Sequence, residues 1–153
     1  MRPVVPAAAL ALSFILLPST SLAASLDDKH ADAQSIAALE ARASQAPPRE
    51  QCFLYAELVH QMIEYSSEQY AAGEYENASQ MLRRVTAFAQ KIHIAVSNDE
   101  KRLKSAQILL RHTAFRLNEL LHASALEDRP VVQEALAQVN QVQTETMLQV
   151  FRK

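Results

Sequence analysis

Two stretches of the chain hold side chains that could share a metal ion: Glu57-Leu58-Val59-His60 and Glu119-Leu120-Leu121-His122. A carboxylate and an imidazole one helical turn apart can reach the same point beside a helix, and dinuclear carboxylate bundles draw such a Glu-x-x-His pair from each of two helices. A centre of this kind would take iron, manganese or zinc. Two features argue against it. On a helical wheel, Glu57 and His60 fall opposite the apolar stripe of their helix, together with Glu64 and Glu68, and so are expected to face water. In an antiparallel arrangement the second motif also lies roughly 18 Å further along the bundle, at 1.5 Å rise per residue. No glutamate sits in the middle of the intervening helix to complete the ligand set. The four residues Glu57, His60, Glu119 and His122 therefore read as solvated faces, with a ferritin-like metal site as the alternative.

Other reactive chemistry is poorly supplied. Cys52 is the single cysteine, so no intrachain disulfide, Cys-x-x-Cys redox pair or covalent haem motif can exist. It falls on an apolar face with no histidine beside it and is expected to be buried, as lone cysteines commonly are. No glycine-rich loop is present to cradle a phosphate. No catalytic residue and no cofactor is implied, and the expectation is a protein that is not an enzyme.

Charge is distributed unevenly. Between Asp27 and Glu76 ten acidic residues face three basic ones, whereas between Arg83 and Arg116 eight basic residues face two acidic ones. The simplest use of this asymmetry is topological: an acidic helix beside a basic one favours a single antiparallel pairing. The basic set Arg83, Arg84, Lys91, Lys101, Arg102 and Lys104 could instead dock an anionic lipid or polysaccharide of the envelope. Nucleic acid is not an expected partner for an acidic, exported chain. A second apolar patch points to a protein contact: Ile108 and Phe115 lie one heptad apart, opposite the main stripe of their helix, flanked by His112, Glu119 and His122. Such a patch needs cover, from the first helical segment (the favoured source) or from another chain.

The elements that must position these residues are helices. After the N-terminal segment the chain has one glycine, Gly73, and three prolines, Pro47, Pro48 and Pro130, all at breaks in helical periodicity. Five helices are expected, near 26–45, 48–72, 74–96, 99–123 and 129–151. The first is alanine-rich, with Ile36 and Leu39 as its only sizeable anchors. The second aligns Cys52, Tyr55, Leu58, Val59, Met62, Tyr65, Ser66 and Gln69, and the third aligns Ala78, Met81, Leu82, Val85, Phe88, Ala89, Ile92 and Val96. The fourth and fifth carry stripes led by Leu110 and Leu117, and by Val132 and Val139. Ser97-Asn98-Asp99, with Asp99 and Glu100 near the positive end of the fourth helix's dipole, and Asp128 before Pro130 are expected caps. The stretch from Tyr70 to Ala78 resembles the turn of a tetratricopeptide repeat, but no 34-residue period follows, and it marks a helical hairpin. The fold class is all-α: an antiparallel bundle of four long helices with a less secure N-terminal helix.

Residues 1–23 read as a cleaved signal peptide: Arg2, an apolar run over Ala7–Leu17, Pro18, and small residues at Ser21 and Ala23. The run is too short for a transmembrane anchor. Removal leaves a single domain over 24–153, with 14 Lys+Arg against 17 Asp+Glu. The function expected is that of an exported, periplasmic or secreted helical bundle. It would act through protein–protein or self-association surfaces, not through catalysis.

Overall fold

A computed structural model describes residues 30–98 and 101–152. The expected signal peptide, residues 1–23, and Asp99 of the expected Ser97-Asn98-Asp99 cap lie outside the described residues; the fourth helix begins later than that cap implied, at Leu103, with Arg102 in the N-cap position and no side-chain cap bond. Within them the chain forms five helices and no strand: α1 (Ala33–Gln45), α2 (Pro48–Ala71), α3 (Tyr75–Ala95), α4 (Leu103–Ala123) and α5 (Arg129–Phe151). The all-α bundle of four long helices plus an N-terminal helix is what the sequence patterns led us to expect.

The helix ends follow local chemistry. Asp32 begins α1 with a capping box, its carboxylate accepting from the Ser35 amide at 2.6 Å while the Ser35 hydroxyl reaches back to the Asp32 amide at 3.1 Å. Pro47-Pro48 closes α1 and opens α2, with Pro48 in the first turn, where its missing N–H costs nothing. Gly73 adopts φ +83°, and the amides of Gly73 and Glu74 return to the carbonyls of Tyr70 and Gln69, a Schellman stop that only glycine enters without strain. Asp128 departs from its expected role. It occupies the N-cap position of α5 but makes no side-chain cap bond; its carboxylate instead accepts from the Tyr70 hydroxyl at 3.1 Å.

The packing order differs from a simple sequential bundle. α2 packs on α3, α4 on α5, α2 on α4 and α3 on α5, while α3 and α4 do not approach among the described residues. The two antiparallel hairpins therefore lie side by side, and α2 runs parallel to α4. The cross-helix bonds show this register: His60 to Thr113, Glu64 to Arg116, and Tyr70 to Ala125 are separated by 53, 52 and 55 residues. The backbone of α1 lies against α2 alone, while its Glu40 side chain reaches Arg84 of α3.

The core runs the length of the bundle. Leu58, Met62, Ile63, Leu82, Ile92, Leu110, Leu117 and Val139 are fully buried, and truncating one such Leu, Ile or Met to Ala would cost about 2–5 kcal/mol. Ser66, Thr113, Ser124 and Thr146 are also buried, and each hydroxyl donates to the carbonyl one turn earlier on its own helix. Burial of these polar groups thus leaves no bare donor. Cys52 is buried, as its position on the apolar face implies.

The charge pattern is used otherwise than expected. Among the described residues no ion pair joins α2 to α3. Glu57 pairs with Arg42 of α1 at 3.0 Å, Glu64 with Arg116 of α4, and Arg84 of α3 with Glu40 of α1. The acidic side of α2 points away from α3, so its partners come from α1 and α4.

Candidate functional site

The seam between α2 and α4 is where most of the chemically capable residues meet. Its inner side is core. Its outer side opens as a groove with two adjoining hollows of about 460 Å³ each. One is lined by His60, Glu64, Arg111, His112, Phe115 and Arg116, the other by Phe53, Glu57, Gln61, Ile108 and Leu109 with both histidines.

His60 occupies the middle of this groove, half-buried. Its Nδ1 lies 3.0 Å from the Thr113 hydroxyl. That hydroxyl donates its single proton to the Leu109 carbonyl at 2.9 Å, so it accepts from His60. The proton therefore sits on Nδ1, and the lone pair is left on Nε2. Burial holds the imidazolium below its ordinary range; Glu64 and Glu57 oppose that shift, while His112 and Arg116 add to it. His60 is thus a neutral imidazole near pH 7.

Arg116 organises the upper groove. Its Nε and Nη2 donate to the two Glu64 oxygens at 2.8 and 3.0 Å, and its Nη1 donates to Glu119 at 2.7 Å. These carboxylates raise the guanidinium above its already high ordinary value. The bidentate fork ties α4 to α2 one turn beyond His60. Gln61 carries a buried amide oxygen with no partner among the described residues.

The two Glu-x-x-His motifs do not converge. Glu57 and His60 are half-buried at the seams, not fully solvated as their wheel position suggested, because α1 and α4 both pack over that side of α2. Glu57 is held by Arg42 and His60 by Thr113. Glu119 is held by Arg116, and His122 turns its Nδ1 onto the Asn118 carbonyl at 2.7 Å. His122 lies about 14 Å along α4 from the level of His60, at 1.5 Å per residue. Among the described residues no group of three or more His, Cys, Asp or Glu side chains is placed to hold a metal ion.

The basic residues are dispersed. Arg84 is paired with Glu40 and lies over Phe88; Lys91 stands over the Tyr55 and Phe88 rings; Arg83 reaches Glu76 on its own helix. Arg102 covers the Phe53 ring, 3.3 Å from its centroid, where α2 and α4 begin. Lys101 and Lys104 are exposed nearby. Because α3 and α4 stand at diagonal corners, the six residues do not form the face of one helix pair.

Ile108 and Phe115 share the outer side of α4 at the groove, two turns apart and in adjoining hollows, 40% and 63% exposed. α1 was the favoured cover from sequence; it lies on α2 and its backbone does not reach α4 among the described residues. The reason is local. The two-residue turn at Ala46-Pro47 folds α1 straight back along α2, where Ile36, Leu39 and Ala43 find their burial. Sequence reading missed Thr113 and Arg116 as the groove's fixed points; a threonine on the apolar stripe of α4 was the available signal for the first.

No helix of the described residues is long and apolar enough to cross a membrane. No family model matches the chain, and neither a curated protein nor a solved structure matches it.

Proposed function

We propose that this is an exported, non-enzymatic helical bundle that works by docking another protein surface in the α2/α4 groove. One observation carries the reading: two large apolar side chains, Ile108 and Phe115, stand uncovered two turns apart on α4, in a groove where His60 is held by Thr113, Glu57 by Arg42 and Glu64 by Arg116. Single exposed apolar residues are ordinary on a protein surface, but two on the same helix face, each lining a hollow of one groove and rimmed by polar groups, mark an interaction surface. Export is supported by the composition of residues 1–23.

The test is site-specific photo-crosslinking in intact cells. A crosslinking residue at position 115 is expected to give a discrete protein adduct, and one at Gln133, exposed on α5, is expected to give none. Absence of an adduct from position 115 would overturn the reading. N-terminal sequencing of the mature protein checks the export expectation, with a start near Ala24 as the supporting result.

A further inference from the structure

We propose that the occupant of this surface is a second copy of the same chain, docked through α4 about a two-fold axis that passes between Arg111 and His112. The inference rests on the docking reading above and adds the identity of the partner.

The argument is self-complementarity. A two-fold interface pairs residue i with j and j with i, so its surface must match its own reverse. The outward side of α4 does so. A reversed copy centred between Arg111 and His112 sets Ile108 level with Phe115 of the other chain, and Phe115 level with its Ile108. The same reversal sets Lys104 level with Glu119, and Glu119 with Lys104. Apolar side chains thus meet apolar ones on both sides of the axis, and each outer lysine meets a carboxylate. At 100° per residue Lys104, Ile108, Phe115 and Glu119 fall within about 60° of arc, one narrow strip along the helix.

The structure makes this strip available. Ile108, Phe115, Lys104 and Glu119 are all exposed. Glu119 engages Arg116 through a single oxygen, and a carboxylate accepts several bonds. Around the strip α4 is otherwise basic: Lys104, Arg111 and Arg116 against Glu119 alone between Leu103 and Ala123. A foreign partner would be selected by acidic flanks; a second copy supplies its one acidic residue where a lysine waits.

The symmetry also brings Arg111 near its own copy at the axis. That contact is repulsive, and the apolar core of the interface is two residues per chain. So small an apolar core belongs with interfaces below roughly 1,200 Å² in total, which associate weakly, so the dimer is expected at roughly micromolar to millimolar protein, not at nanomolar.

Sedimentation equilibrium of the mature chain across that range tests the proposal. The wild type is expected to show reversible dimerisation. Phe115→Ser is expected to weaken it at least tenfold with helicity unchanged, and Lys104→Glu to weaken it by setting carboxylate against carboxylate. The double reversal Lys104→Glu/Glu119→Lys is expected to restore it, which a merely structural role for either residue would not produce. Mixing Arg111→Glu with wild type is expected to give a heterodimer tighter than either homodimer. A monomer at every concentration, or a dimer that Phe115→Ser leaves intact, would overturn the proposal. If the chain is monomeric while position 115 still crosslinks to a different protein, the second-copy inference falls and the docking reading stands. If neither association nor adduct is found, both fall.

Discussion

α2 and α4 run side by side, parallel and in register, yet they are covered differently. α2 has neighbours on three sides, α1, α3 and α4, and buries ten side chains; α4 has only α2 and α5 and buries six. Both helices carry apolar residues off their main stripe. On α2 these are Phe53, Leu54 and Ile63, and neighbouring helices close over them. On α4 they are Ile108 and Phe115, and no described helix does so. The same feature of sequence is core on one helix and surface on the other. Hydrophobic patterning says that a face needs cover, and leaves open which element provides it.

The sharpest way to break this contrast is by truncation. Ile63→Ala is expected to cost about 2–5 kcal/mol, and Ile108→Ala less than about 0.5 kcal/mol in the monomer. Urea denaturation of both variants at low protein concentration measures the difference; equal losses would show that α4's outer side is covered after all. A smaller effect is expected at the link between the two helices. Arg116→Ala should cost about 1 kcal/mol, because its fork to Glu64 is well formed but partly exposed. Lys104→Ala, outside the groove contacts, should cost nothing measurable in the monomer.

Histidine titration separates the helices by pH. Burial favours neutral His60 in the folded chain, so the unfolded chain binds its proton more readily. The stability associated with His60 is therefore complete above the ordinary histidine value near 6.5 and is lost as pH falls below it. Thermal melts at pH 7.5 and 5.5 should show a loss at the lower pH that His60→Gln reduces. An unchanged loss in that variant would assign the titration elsewhere. The most local effect is expected at α1. Asp32→Ala removes the capping box, and amide exchange should quicken in α1 while α2 stays protected. Equal quickening in both would mean that α1 is part of the cooperative core.

Much of the fold was legible in the residues. Pro47-Pro48 and Gly73 act through backbone chemistry that needs no neighbour, and their effects on α1, α2 and α3 are those expected. The stripe of α3 is buried almost residue for residue, because that helix shows one side to the core. The α2 stripe was only half the story: three-sided packing also buries Phe53, Leu54, Ala56 and Ile63, which a single amphipathic face does not predict. Asp128 illustrates the limit at a cap, since the hydroxyl that claims it comes from Tyr70, 58 residues away.

The sequence by itself determined five helices, the burial of Cys52 and the apolar pair on α4, with most helix boundaries within a few residues; α1 is the exception, beginning at Ala33 and not near residue 26 because Asp32 caps it there. These follow from propensity, periodicity and local hydrogen bonding, all of which act within a few residues along the chain. Only the tertiary structure decided that the hairpins lie side by side with α2 parallel to α4. It also decided that Glu64 meets Arg116 and not α3, that His60 holds its proton on Nδ1, and that the two Glu-x-x-His motifs stay apart. Those outcomes depend on which helix stands beside which, and that choice is made by packing between residues more than fifty positions apart, where local sequence carries no signal.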